Sequence, residues 1–215
     1  MQPLDIIFYI AVLLLSVIIH EVMHGLAARY LGDRTAEHEG RLTLNPIPHI
    51  DPIGTVILPL LLVVSHAPFV VGWAKPVPYN PYNFRDEKWI RRWGEAFVAV
   101  AGPFSNAIIF LVFGLFLRFL TPIVEAVPFM AAILPAVSLI NMVVVVNIVL
   151  AVFNLVPIPP LDGSKILFSL FPESLRPLRA FLERYQLFLA LFFILFLWDY
   201  ISPVIEVVYR GVVGV

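Results

Sequence analysis

The chain has 215 residues and a formal net charge of −1, and its composition is that of a membrane protein. Hydrophobic residues make up 60% and charged residues 13% of the sequence, with a mean hydropathy of +0.93, whereas soluble domains average roughly 45–50% apolar and about 25% charged residues. The near-zero charge gives no support for a nucleic-acid partner. Because the sequence contains no cysteine, disulfides, thiolate nucleophiles and cysteine metal ligands are excluded.

Four apolar runs are predicted to cross the membrane, since a helix of about 20 apolar residues spans a bilayer. They lie at residues 4–27, 94–117, 129–156 and 181–198. The first run has neither a basic segment before it nor a small-residue cleavage site after it, so it is expected to be retained rather than removed as a signal peptide. The tail ISPVIEVVYRGVVGV is amphipathic and is expected to lie at a membrane interface.

A fifth apolar run, residues 52–71, is interrupted by three prolines and a glycine. The segments after the first span, before the second and after the third hold all Lys and Arg residues except Arg118 and Arg210. Because basic residues favour the cytoplasmic side, all three segments are predicted to be cytoplasmic, and residues 52–71 must then enter the membrane and return as a re-entrant segment. A full crossing, with one basic segment outside, is the alternative.

Residues His20, Glu21 and His24 form an H-E-x-x-H pattern inside the first span. Positions i and i+4 share one face of a helix, so both imidazoles can reach one zinc ion while the glutamate can act as a general base. Catalytic zinc takes three protein ligands and an open position. Polar side chains at this depth are costly and usually functional. Hydrogen bonds across helices and a proton relay are the alternatives for this cluster.

The segment FNLVPIPPLDGSK, residues 153–165, supplies the candidate third ligand. Its prolines end the third predicted span, and Asp162 follows them. In the predicted topology the first and third spans both run inward, so Asp162 lies at the depth of His20 and His24. We therefore expect Asp162 to complete a site for one Zn²⁺ per chain. The alternative is that Asp162 caps a helix that begins near Gly163.

Five motifs occur in a fixed order along the chain: HEVMHGLAA, LNPIPHIDPIGT, GWAKPVPYNP, AGPFSNA and FNLVPIPPLDG. Together they resemble the site-2 protease family of intramembrane zinc metalloproteases, over roughly residues 5–170, and in particular its small bacterial branch without a PDZ or CBS domain. The resemblance implies that His20, His24 and Asp162 bind zinc and that Glu21 is the catalytic base. With the predicted topology, it implies a multi-pass protein of the bacterial cell membrane whose active site faces the cytoplasmic side.

The resemblance also implies substrate contacts. Asn154 corresponds to an asparagine that holds substrate near the zinc, with a helix-end cap as the alternative. Asn106 is a second candidate for a substrate contact, with a hydrogen bond between helices as the alternative. Residues 72–81 resemble a hairpin that dips toward the active site and offers a strand edge to an extended substrate, or else form a surface loop. The candidate contacts in this segment are Trp73, Ala74, Lys75 and Val77.

His49 lies shortly after the first span and is predicted to support a ligand imidazole or to gate the site, since ligating histidines need a hydrogen-bond partner. The alternative is that His49 is an ordinary residue of the membrane interface.

The sequence thus predicts an all-α polytopic membrane protein with four transmembrane helices, a re-entrant segment and a short membrane-associated β-hairpin. We expect one metalloprotease domain over residues 1–215, with a core at 5–170 and a C-terminal span and tail at 171–215. Its expected reaction is hydrolysis of a peptide bond in or near a transmembrane segment of a membrane-protein substrate. The alternatives are a zinc-binding transporter, for which residues 94–117 and 129–156 offer almost no charges, and a non-catalytic relative that binds a membrane partner. The sequence does not specify an oligomeric state.

Overall fold

Helices dominate the computed structural model, which describes residues 3–57, 60–61, 64–65, 74–127, 132–171 and 173–214. The long helices are α1 (Pro3–Leu31), α3 (Lys88–Ala126) and α4 (Leu134–Asn154). The shorter ones are α2 (Thr35–His38), α5 (Asp162–Leu170), α6 (Arg176–Arg184), α7 (Gln186–Phe192) and α8 (Trp198–Val213). Within these described ranges no β-strand occurs, so the expected all-α class is confirmed.

Three of the described helical segments are long and apolar enough to cross a membrane: Asp5–Leu31, Lys88–Val124 and Leu134–Asn154. They match the first three predicted spans. The predicted fourth span, residues 181–198, is not confirmed, because it is divided among α6, a turn at Tyr185, α7 and the π-helical segment Phe193–Leu197. The uncharged stretch between Arg184 and Asp199 is shorter than the roughly 20 residues that a span needs.

The long helices pack along two apolar contacts. Small residues of α1, Ala27 and Ala28, lie against Ile90 and Val98 of α3, and small side chains allow membrane helices to approach closely. The second contact joins α3, α4 and α8 through a buried cluster that includes Phe110, Leu117, Val144, Ile148 and Val213. The tail that was expected at an interface therefore contributes one face of α8 to the protein core.

The two segments predicted to be irregular at membrane depth are described only in part. Pro52–Ile57 form a π-helical turn, but much of residues 58–73 lies outside the described residues, so a re-entrant path stays a prediction. Residues 74–80 have no regular secondary structure. Pro76 and Pro78 have no N–H to donate to a strand ladder, and the predicted β-hairpin is not confirmed.

Candidate metal centre and catalytic glutamate

His20, His24 and Asp162 meet at one point between α1 and α5. Asp162 Oδ2 lies 3.1 Å from His20 Nε2 and 3.0 Å from His24 Nε2, and the two Nε2 atoms are 3.0 Å apart. The three side chains belong to residues that are 5%, 6% and 6% exposed in chain order. The structure therefore brings together the three residues that the sequence analysis proposed as metal ligands.

The other nitrogen of each imidazole fixes its tautomer. His20 Nδ1–H donates to Asn106 Oδ1 at 2.6 Å, and His24 Nδ1–H donates to the carbonyl oxygen of Val98 at 2.7 Å. Because both partners are oxygen acceptors, the proton resides on Nδ1, and each Nε2 directs its lone pair at the centre.

With this tautomer, two imidazole lone pairs and one carboxylate oxygen face one another at the centre. Three buried acceptors at these separations repel one another unless a cation lies among them. Zinc binds histidine nitrogen and carboxylate oxygen at roughly 2.0–2.2 Å, so atoms 3.0–3.1 Å apart can all reach one ion. The donor set fits a zinc site that has a fourth position for water.

A buried polar chain supports His20 from behind. Asn106 of α3 donates from Nδ2 to Asn147 Oδ1 of α4 at 2.9 Å, and Asn147 donates in turn to Ser16 Oγ of α1 at 3.0 Å. Asn106 and Asn147 are both 0% exposed. Asn106 therefore makes the hydrogen bonds between helices that were the alternative to a substrate contact, and its role in substrate binding stays a prediction.

Gly102 of α3 forms one wall of the metal centre. A Cβ atom at this position would lie 2.5 Å from His24 Nε2 and 2.6 Å from His20 Nε2, which is too close for any real contact. Only glycine leaves this space for an ion. Gly102 belongs to the motif AGPFSNA, but its role could not be predicted from that motif, because it depends on how α1 and α3 cross.

The catalytic-base candidate, Glu21, is half-buried on α1 and contacts the irregular segment at 74–80. Its Oε2 accepts the backbone N–H of Val77 at 2.8 Å. The carbonyls of Lys75 and Pro76 accept hydrogen bonds from the Arg41 guanidinium. The segment that was predicted to hold substrate therefore lies directly against the proposed base.

Asp33, in the turn after α1, holds the C-terminal end of the irregular segment at 74–80. Its carboxylate accepts the N–H of Asn80 at 2.7 Å, the Nδ2 of Asn83 at 2.9 Å and the hydroxyl of Thr35 at 2.6 Å. Burial alone raises the pKa of Asp33, but the hydrogen bonds from Thr35, Asn80 and Asn83 outweigh it and hold the pKa below its ordinary value.

His49 contacts the segment at 74–80 through its backbone. It is 0% exposed, its Nε2–H donates to the carbonyl of Thr43 at 2.9 Å, and its own carbonyl accepts the N–H of Lys75 at 2.9 Å. The imidazoles of His20 and His24 donate instead to Asn106 Oδ1 and to the Val98 carbonyl. A gating role for His49 stays a prediction.

The remaining candidate substrate contacts have ordinary surroundings in the structure. Asn154 ends α4, and its Nδ2 donates to the carbonyl of Leu150 one turn earlier, at 2.9 Å. Ala74 is half-buried and Lys75 is exposed, while Trp73 lies outside the described residues. Their substrate contacts stay predictions.

Lys165 is a neighbour of the metal centre that sequence reasoning missed. Its Nζ lies 3.4 Å from Asp162 Oδ1, the carboxylate oxygen that faces away from the histidines, and 5.4 Å from the ring centre of Tyr79. Burial opposes its charge, but Tyr79 and Asp162 outweigh burial and raise the pKa of Lys165 above its ordinary value. Its position three residues after Asp162, one helical turn on, is the feature that could have indicated this contact.

The family model of Peptidase family M50 matches residues 8–197. The chain belongs to this family, the site-2 proteases. YwhC of Bacillus subtilis (strain 168) is 36% identical over 203 residues, which cover 94% of this chain and 84% of YwhC. Rip2 of Mycolicibacterium smegmatis is 30% identical over 174 residues, which cover 80% of this chain and 61% of Rip2. Both relatives are named as zinc metalloproteases.

No solved structure matches the chain significantly. The family match nevertheless confirms the resemblance inferred from the motifs, and with it the expectation that this site-2 protease family member is a metallopeptidase.

Proposed function

We propose that this chain hydrolyses a peptide bond in or near a transmembrane segment of a membrane-protein substrate. The observation that carries the proposal is the position of the site. His20, Glu21 and His24 lie on α1, a helix long and apolar enough to span a membrane, and Asp162 reaches them from just beyond another such helix, α4. Histidines and a glutamate in such a helix are energetically costly and usually serve a function.

The proposed cofactor is one zinc ion per chain, held by His20 Nε2, His24 Nε2 and Asp162 Oδ2. The names of both relatives and the convergence of three acceptors support this choice. When bound, zinc polarises the scissile carbonyl and lowers the pKa of its water to about 7.

The chain's own residues supply the remaining chemistry. Glu21 accepts a proton from the attacking water and delivers it to the leaving amine. Asn106 and Val98 keep the two ligand imidazoles in the Nδ1–H tautomer, so that both Nε2 atoms stay available to the metal. Burial of the three ligands limits access by bulk water and strengthens the electrostatic interactions within the site.

The proposed substrate is a single-span protein whose helix is weakened by glycine or proline. A peptide bond inside a helix is inaccessible to the site, so the substrate must unwind before cleavage. We propose Asn154, Asn106 and the 73–77 segment (Trp73, Ala74, Lys75, Val77) as its contacts. We propose a bacterial cell membrane with the site toward the cytoplasm, because basic residues such as Arg29, Lys88 and Lys165 lie at the same end of the helices and basic residues favour the cytoplasmic side.

The decisive experiment compares the wild-type chain with Glu21→Gln in liposomes that contain a model single-span substrate, measuring zinc content and cleavage. The expected result is one zinc per chain in both proteins and loss of cleavage in Glu21→Gln. Glu39→Gln, at an exposed position, is the matched control and keeps full activity. Equal cleavage by wild type and Glu21→Gln contradicts the mechanism. Zinc flux into the liposomes without cleavage favours a transporter instead.

A further inference from the structure

We propose that Arg41 is a positioning residue for the catalytic glutamate, acting through the backbone of residues 75–77. The inference rests on the proposed role of Glu21 as general base. It adds a residue outside the H-E-x-x-H and L-D-G motifs to the machinery of the reaction.

The guanidinium of Arg41 is buried and is used to hold backbone carbonyls. Arg41 is 4% exposed, and its Nη2 donates to the carbonyl oxygens of Lys75 at 2.7 Å and Pro76 at 3.1 Å. A buried cation is costly without partners. Among the described residues its hydrogen bonds go to these carbonyls and not to a carboxylate, so Arg41 fixes a stretch of main chain.

The backbone of His49 holds the same stretch as well. The N–H of Lys75 donates to the carbonyl of His49 at 2.9 Å, and the His49 ring is itself fixed by its bond to the Thr43 carbonyl. Lys75 and Pro76 are therefore restrained at three points immediately before Val77.

Val77 makes the contact with the base. Its N–H donates to Glu21 Oε2 at 2.8 Å, and its side chain is 5% exposed. The side chain packs on Gly25 of α1, where an added Cβ would lie 2.8 Å from Val77 Cγ1 and 2.5 Å from Leu42 Cδ2. Glycine at position 25 thus allows the segment to approach α1 closely enough for the hydrogen bond.

The chemical consequence concerns the orientation of the Glu21 carboxylate. A glutamate side chain rotates freely unless a partner restrains it, and a charge-assisted hydrogen bond to a fixed N–H is a strong restraint. With Oε2 held by Val77, Oε1 is left to accept the proton from water. Pro76 and Pro78 have no N–H, and the N–H of Lys75 is bonded to His49, so Val77 is the donor that the 75–78 stretch presents to α1.

The test is Arg41→Met, with Arg34→Met as the matched control. Arg34 lies in the same loop region, and its side chain is 70% exposed. In Arg41→Met we expect kcat to fall about tenfold to a hundredfold, because small misplacements of a reacting group have effects of this size. Zinc content stays close to wild type, and the fall in kcat is larger than any change in KM. Arg41→Lys, which keeps the charge but not the fork of donors, recovers part of kcat. Arg34→Met behaves as wild type.

Two kinetic outcomes overturn the proposal. A raised KM with unchanged kcat shows that the segment binds substrate rather than orienting the base. A raised kcat shows that the segment covers the base and must leave before reaction. If Arg41→Met does not fold, Val77→Pro removes the N–H that Glu21 accepts and must reproduce the loss of kcat, with Val77→Ala as the control for loss of the side chain; a retained kcat in Val77→Pro contradicts the inference.

Hydrogen exchange separates failure of this inference from failure of the proposed function. Amide protection at Val77 falls in Arg41→Met if Arg41 positions the segment, and this is measurable even if the wild-type chain does not cleave the model substrate. Unchanged protection overturns the positioning role whatever the cleavage assay shows. A wild-type protein that binds zinc but cleaves nothing contradicts the proposed function, while the exchange result still decides the role of Arg41.

Discussion

Asp162 Oδ2 and His20 Nε2 are 3.1 Å apart, although 142 positions separate these residues in the sequence. The contact joins the first helix to α5, which follows the last of the three candidate spans. The ligand set therefore exists only when the helices are assembled, and zinc stoichiometry reports tertiary structure as well as chemistry. Loss of zinc from a variant has to be read beside a measure of folding.

Replacing Gly102 with alanine is expected to abolish zinc binding. The new methyl group would lie about where the ion belongs, at 2.5–2.6 Å from the two Nε2 atoms. We expect zinc content to fall below detection while the helical content measured by circular dichroism is kept. Gly211→Ala is the control, because nothing lies within 4 Å of a Cβ at that position. Full zinc content in Gly102→Ala would show that the ion lies elsewhere.

Asn106→Ala is expected to weaken zinc binding without removing a ligand. His20 loses the acceptor that fixes its tautomer, and loss of such a partner typically costs about 10–100-fold in metal affinity. The measurement is zinc Kd by competition with a chelator of known affinity. Asn141→Ala is the matched control, since Asn141 accepts a hydrogen bond from Tyr209 and not from a ligand histidine. Equal Kd values for wild type and Asn106→Ala would rule out the positioning role.

Removal of the metal is expected to destabilise the protein as well as inactivate it. Without a cation, three buried acceptors face one another and repel. In addition, a ligand at a free concentration of a hundred times its Kd raises the free energy of unfolding by about 2.7 kcal/mol. Chelation should lower the thermal midpoint in detergent, and added zinc should restore it together with cleavage. His24→Ala, which lacks one ligand, should show a much smaller response. A midpoint that chelation leaves unchanged in the wild type, after zinc loss has been verified, contradicts this expectation.

Asp33 is expected to make stability pH-dependent at acidic pH. The pKa of Asp33 is lower in the folded state than its ordinary value. Its contribution to the free energy of unfolding is therefore fully present above the unfolded-state pKa of about 3.9, and it is lost as the pH falls through the folded-state pKa. Asp33→Asn should therefore cost about 1–3 kcal/mol at pH 7, the size expected for hydrogen bonds to a charged group. The deficit relative to wild type should narrow below about pH 4.

The measurement is the difference in unfolding midpoint between wild type and Asp33→Asn as a function of pH. The effects of titrating groups that both proteins share cancel in this difference. Asp86→Asn is the control, because the Asp86 side chain is 82% exposed. A deficit of the same size at pH 3 and pH 7 would show that Asp33 does not titrate in this window.

The clustering of the three proposed metal ligands could be predicted because the sequence shows both their chemistry and their position in or beside apolar runs, where polar side chains are energetically costly. His20 and His24 have helical spacing inside an apolar run, and Asp162 follows a proline-rich end of another run. The supporting contacts could not be predicted in the same way. Val98 acts through a carbonyl oxygen, which every residue has, and Gly102 acts through a distance that depends on how two helices cross.

The membrane topology was predictable only where hydropathy and helix length agree. The first three spans are continuous helices, but in the run at 181–198 the chain turns at Tyr185, a break that an average over apolar residues does not detect. In the sequence, Arg41 is one of several basic residues that indicate the cytoplasmic side. Its burial against the carbonyls of residues 75 and 76 depends on a long-range contact that no local pattern encodes.

The hydrogen-bonded chain from Ser16 through Asn147 to Asn106 has a consequence for biogenesis. Helices that enter a bilayer separately expose such amides to hydrocarbon until a neighbour arrives, and hydrogen bonds between membrane helices favour association by about 0.6–2 kcal/mol each. The chain from Asn106 through Asn147 to Ser16 is complete only when α1, α3 and α4 meet in a single register. We therefore expect the three helices to associate through these amides after insertion, and the ion to bind only once its ligands have been brought together.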